Sequence, residues 1–178
     1  RCRAIGIEYD KRINAEACKN KESAVSGART EFVLANAEQY LVAPEINRIF
    51  FFNPFSTEIL KSVLARVLDS YYKNPRNIKL FFYYPQDEYL AYLMTVNELE
   101  FYDEIDCQDL FEGHNPRERI VIFETSEMFW DGIKITRQIS ASVDLNRIVI
   151  QIFWMKNFAG YAICKKEFHK IVIDVMEL

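Results

Sequence analysis

The chain has 178 residues, half of them hydrophobic and 27% charged, which suits one packed core and excludes a disordered tail or linker. A net charge of −4 argues against the broad basic face that duplex nucleic acid requires. No apolar run is long enough to span a bilayer, Arg1-Cys2-Arg3-Ala4 does not read as a signal peptide, and no membrane partner is expected. The first residue is not methionine, so the chain reads as a processed, trimmed or internal piece.

Residues 4–9 form a short apolar run ending in an acid, the pattern of a buried parallel strand. Asp10 is placed to cap a helix through about Asn20, with Ile13, Ala17 and Cys18 facing inward. A polar loop follows from Lys19 to Arg29. Strands are predicted over Thr30–Ala35 and Asn47–Phe52. The clearest helix starts after Ser56, carries Glu58 in its first turn, and aligns Ile59, Leu60, Val63, Leu64, Val67, Leu68 and Tyr71 on one stripe. Asn74-Pro75 ends it.

A strand over Ile78–Tyr84 stops at Pro85; Glu88–Val96 reads as a shorter helix, and Leu99–Ile105 and Glu118–Glu124 as strands around a turn at 113–116. Near-continuous apolar strands alternating with helices predict an α/β fold, a doubly wound and mostly parallel sheet with helices on both faces. Aromatic crowding at Phe50–Phe52 and Phe81–Tyr84 fits core packing. Beyond Glu124 the texture changes. Ile133–Ile139, Arg147–Trp154 and Lys170–Val175 have strand character, and Phe158–Phe168 permits a helix.

Cys2, Cys18, Cys107 and Cys164 are scattered, without C-x-x-C pairs or histidine at ligand spacing. No metal site is expected, and unpaired thiols imply a reducing, cytoplasmic compartment. His114 and His169 are read as surface or packing residues. Five glycines, none in a G-x-G-x-x-G or P-loop arrangement, provide no self-contained phosphate cradle.

Three strand-end motifs stand in order: Gly6-Ile7-Glu8-Tyr9, Asn36-Ala37-Glu38 and Phe52-Asn53-Pro54-Phe55. Together they resemble the class I S-adenosylmethionine-dependent methyltransferases, from that family's second strand to its last, over residues 1–124. The resemblance implies S-adenosyl-L-methionine as cofactor. Glu8 would accept hydrogen bonds from the ribose hydroxyls, and Tyr9 would pack on the adenine. Asn36 stands where the family usually has an acid toward the adenine amino group, Ala37 would present its backbone N–H to the ring, and Asn53 would complete the cofactor pocket. Asn53, Pro54 and Phe55 align with the Asn/Asp-Pro-Pro-aromatic signature of amine methylation, in which a side-chain oxygen and a backbone carbonyl hold the amine and the aromatic ring holds the substrate. One proline stands here in place of two. Tyr84 would line the substrate cleft. The implied partner is a small-molecule or protein substrate; the acceptor and any homo-oligomeric state are not legible.

The family's first strand and glycine-rich loop do not precede Arg1. That strand lies mid-sheet, beside the one holding Ile5–Glu8, and an empty slot would leave buried backbone groups unpaired at ~1–3 kcal/mol each. Upstream residues of a longer protein, a second chain, or this chain's own C-terminal segment can fill it. In the last case residues 125–178 supply a permuted arm and first strand, with Lys170–Val175 as the expected occupant; otherwise they form an antiparallel appendage. A non-catalytic binding or scaffold module is the competing function, favoured by the scarcity of glycine. A dinucleotide oxidoreductase has only Glu8 in its support.

Overall fold

The computed structural model describes residues 3–110, 115–126, 129–130, 133–134 and 148–153. The readings at Cys2, residues 113–114, His114, residues 135–139, Phe158–Phe168, Cys164, His169 and Lys170–Val175 lie outside the described residues.

The strands are β1 (Arg3–Glu8), β2 (Thr30–Leu34), β3 (Ile46–Phe52), β4 (Lys79–Tyr83), β5 (Leu99–Asp106) and β6 (Arg119–Thr125). Further along the chain lie β7 (Phe129–Trp130), β8 (Ile133–Lys134) and β9 (Ile148–Phe153); the helices are α1 (Lys11–Ser23), α2 (Thr57–Lys73) and α3 (Asp87–Leu93). Among the described residues seven strands make one sheet in the order β2-β1-β9-β3-β4-β6-β5, while β7 and β8 pair separately. The five from β2 to β4 are parallel; β6 runs antiparallel to both of its neighbours. This is the expected α/β, mostly parallel sheet.

Alternation along each strand builds the core. Ile49 and Phe51 of β3, Leu80 and Phe82 of β4, and Val121 and Phe123 of β6 point to one face, where Leu60, Val63, Leu64 and Val67 of α2 cover them with Tyr89 and Leu93 of α3. Phe50, Phe81, Tyr83, Ile120 and Ile122 point to the other. The chain moves from β1 outward to β2 through α1, but from β3 in the opposite direction to β4 through α2. Right-handed crossovers in opposite directions put α1 and α2 on opposite faces.

Local chemistry sets the helix ends. The Asp10 carboxylate accepts from the backbone N–H groups of Arg12 and Ile13, and Ser56 accepts from that of Ile59. The predicted inward face of α1 needs correction: Ile13 and Ala17 are half-buried, but Cys18 is exposed. Helix α1 has no fully buried residue, so its Lys- and Asn-rich sequence outweighs a weak apolar stripe. It runs on to Ser23, and the chain turns at Gly27, where a Cβ would sit 2.1 Å from the Lys21 carbonyl oxygen. Phe52 is also not wholly core, being 37% exposed at the end of β3.

The middle slot is filled from the C-terminal segment, by Ile148–Phe153 rather than by Lys170–Val175. Strand β9 pairs in parallel with β1 on one side, Arg3 with Ile148 through Glu8 with Phe153, and with β3 on the other, Ile49 with Ile150 through Phe51 with Ile152. Both rows of backbone donors and acceptors next to β9 are thereby used, which removes the penalty of an empty slot.

Candidate functional site

Parallel pairing brings the carboxyl ends of β2, β1, β9, β3 and β4 to one edge. Leu34, Glu8 and Phe153 share a register row, and Phe52 pairs with Tyr83. Glu8 and the end of β3 are two strand spacings apart, about 10 Å. Asn36 follows β2, Asn53 follows β3 and Tyr84 follows β4. The sheet thus gathers the sequence-predicted residues on one edge, where ligands of doubly wound folds lie.

Glu8 is the most unusual of them. It is 1% exposed, and its carboxylate accepts from the Asp10 N–H at Oε1, 2.7 Å away. Oε2 is buried with no hydrogen-bond partner among the described residues. Burial pushes the carboxyl above its ordinary value of 4.5; the amides of Asp10 and Tyr9 partly offset the rise and the Asp10 charge adds to it. A buried acid with a spare oxygen fits a ligand that brings hydroxyl donors, as a ribose does. Tyr9 beside it is 73% exposed.

On β2's side, Asn36 begins a 3-10 turn, Ala37–Gln39. Its Oδ1 accepts from the Glu38 N–H at 2.9 Å, leaving one lone pair for another donor. Ala37 is buried, and the Arg66 guanidinium on α2 donates to the Glu38 carbonyl at 2.9 Å, tying this turn to the core.

The β3 end is held more firmly. Asn53 has φ 39° and Tyr84 φ 52°, the left-handed region that costs a non-glycine residue about 1 kcal/mol or more. Asn53 Oδ1 accepts from Gln86 Nε2 at 2.8 Å. Pro54 is buried. The Phe55 N–H donates to the Tyr89 hydroxyl at 3.1 Å, and that hydroxyl donates to the Phe55 carbonyl in turn. Burial raises the Tyr89 hydroxyl to about 12, so it stays protonated and able to donate. The Phe55 ring meets Phe51 edge-on, and the Tyr84 hydroxyl accepts from Asn115 Nδ2 at 2.9 Å.

Gln86 and Tyr89 were not among the residues singled out in the sequence. A signal for Gln86 was present. Pro85 ends β4 and Asp87-Glu88 opens α3, which leaves glutamine at the capping position where Ser, Thr, Asp or Asn is usual. Among the described residues no group of His, Cys, Asp and Glu is arranged to hold a metal ion, and no helix is long and apolar enough to cross a membrane. Cys18 and Cys107 are free thiols.

No family model matches the sequence, and no curated protein matches it either. The fold is similar to a solved structure from Streptococcus agalactiae, described as a protein in the NADB-Rossmann superfamily, with a TM-score of 0.50 and 17% identity. The match covers 73% of this chain and 54% of that one, so the chain spans about half the length of that protein. The likeness shows a Rossmann-like fold.

Proposed function

We propose that this chain binds S-adenosyl-L-methionine at the carboxyl edge of the sheet and serves as a methyltransferase toward an amine or other nucleophile of a small molecule or protein. The observation that carries the reading is Glu8: a buried carboxylate with one oxygen that has no partner among the described residues, at the end of β1, next to the central strand and on the same edge as Asn36 and Asn53. The position of β9 adds support, since the resemblance places that family's first strand beside β1. The residues fit the cofactor. Glu8 would accept from the ribose hydroxyls, Tyr9 would cover the adenine, and Asn36 and Ala37 would meet its polar edge.

When bound, the cofactor supplies a methyl group on a sulfonium, a good leaving group. The chain's own task is then to position the acceptor, and in-line placement supplies most of the catalysis. The oxygen of Asn53 and the carbonyl of Pro54 would hold the attacking group, with Phe55 and Tyr84 flanking the substrate. The free thiols suit a reducing, cytoplasmic setting.

Calorimetric titration of the intact chain with S-adenosylhomocysteine tests the reading, with NAD in a parallel arm. Heat and a thermal shift from the first ligand alone support it. Absence of both with a folded protein overturns it, and binding of NAD alone moves the chain to dinucleotide chemistry. A second reading, a non-catalytic binding or scaffold module, has one observation in its favour. After β9 the sequence continues Trp154-Met155-Lys156-Asn157-Phe158-Ala159-Gly160, with no glycine in the first six positions to let backbone approach a ligand. That reading expects neither ligand to bind.

A further inference from the structure

The geometry points to Gln86 as a positioning residue that sets which way the Asn53 amide faces. Gln86 precedes α3 at the N-cap, but its side chain makes no capping bond there. Glutamine is a methylene longer than the residues that cap well. The side chain instead reaches the end of the neighbouring parallel strand, where Nε2 donates to Asn53 Oδ1 at 2.8 Å across 33 residues of sequence. The cap is forgone for this contact.

An isolated asparagine amide can rotate to exchange its oxygen and nitrogen, and Asn53 sits on a left-handed backbone that orients nothing beyond Cβ. The Gln86 amide can rotate too; with its Nε2 as the donor, as here, the Asn53 oxygen is the atom that faces it. One Oδ1 lone pair is thereby used, the other remains to accept, and donation from Gln86 polarises the carbonyl and strengthens the second bond. The surroundings keep the two amides together. The Tyr89 hydroxyl grips both backbone groups of Phe55, and Thr57 Oγ1 donates to Glu88 Oε2 at 3.4 Å, so the turn after β3 is tied to the start of α3 on both sides of the pair. That this oxygen receives the methyl acceptor rests on the methyltransferase reading; that Gln86 orients it does not.

The test uses the full chain labelled with 15N-asparagine, the Asn53 side-chain signal being assigned by its loss in Asn53→Gly. In Gln86→Glu the ionised carboxylate repels Oδ1, turns the amide over and receives its N–H; protonation at acid pH restores an O–H donor. The Asn53 side-chain signal should therefore move with pH across the carboxylate range in Gln86→Glu and stay flat in the wild type. Gln86→Asn separates positioning from capping. Asparagine is the better cap, so a merely structural Gln86 predicts equal or higher thermal stability with the Asn53 signal unmoved. The positioning role predicts that the signal shifts toward that of a solvent-exposed amide. In both variants S-adenosylhomocysteine should still bind, because Glu8, Tyr9, Asn36 and Ala37 are unchanged. Superimposable Asn53 signals in all three proteins at every pH overturn the inference. Signals that shift as expected in a chain that binds no S-adenosylhomocysteine sink the methyltransferase reading, and with it the functional meaning of the orientation.

Discussion

At the amino edge of the parallel strands, Arg76 donates to the carbonyls of Ala43, Ile46, Ser70 and Asn74 and to the Ser70 hydroxyl, at 2.8–3.3 Å. Beside it the Thr125 hydroxyl accepts from the Ile78 N–H and donates to the Arg76 carbonyl. At the carboxyl edge, one strand length away in the same sheet, Glu8 holds a buried oxygen without a partner among the described residues, and Asn53 and Tyr84 hold left-handed backbones. One edge uses its polar groups to close the ends of α2 and β4. The other leaves polar capacity open and tolerates strain. That difference teaches where stability and ligand chemistry have been separated, because satisfied groups have nothing left to offer a ligand.

Removing the satisfied edge should be costly to folding. Arg76→Ala strips donors from four backbone carbonyls and is expected to destabilise by about 3 kcal/mol, read as a lower urea midpoint with an unchanged slope. Thr125→Val leaves the buried Ile78 N–H and the Arg76 carbonyl without that partner and should cost about 2 kcal/mol in the same measurement. Neither change should weaken S-adenosylhomocysteine binding to the protein that remains folded. A large loss of affinity in either would show that the two edges are not independent.

The open edge should behave in the opposite way. Glu8→Gln keeps an acceptor for the Asp10 N–H and removes a buried charge, so it should stabilise the free chain at pH 7 by about 1 kcal/mol. The sign follows from the raised carboxyl. Its neutral form is favoured in the folded chain, so stability is fully present below 4.5 and falls as pH rises through the raised native value. The advantage of the variant should accordingly vanish in acid. The same change should weaken S-adenosylhomocysteine binding about 10- to 100-fold, the worth of charge-assisted bonds to two hydroxyls. A variant that is less stable and binds equally well would erase the contrast.

The smallest effect is expected at Asp10, whose half-buried carboxylate caps α1 and is held at about 2 by the Arg12 side chain and then its backbone N–H. This stabilisation is present above the ordinary 3.8 and should be lost as pH falls toward about 2. Circular dichroism at pH 5 and pH 2, compared between wild type and Asp10→Asn, reads it: the variant should show the smaller loss of helix.

Much of this arrangement was legible residue by residue. Near-continuous apolar runs at Phe50–Phe52 and Phe81–Tyr84, the stripe from Ile59 to Tyr71, and the caps Asp10 and Ser56 are local patterns, and local patterns report directly on backbone conformation. Acids and amides at strand ends marked Glu8, Asn36 and Asn53, because parallel strands share a carboxyl edge. The exposure of Cys18 was not legible: helical spacing shows which residues share a face, but not how much sheet lies beneath that face.

Chain order and amino-acid type were enough to predict a doubly wound sheet, and the resemblance implied a further strand beside β1. They were not enough to choose the occupant. Ile148–Phe153 and Lys170–Val175 are both short, β-branched and apolar, so their intrinsic preferences are alike. Only the hydrogen-bond register with β1 and β3, made across more than a hundred residues, separates them. The same holds for Gln86 and Asn53. Each is an ordinary loop residue alone, and their meeting depends on two strands lying side by side, a contact that only the folded sheet can make.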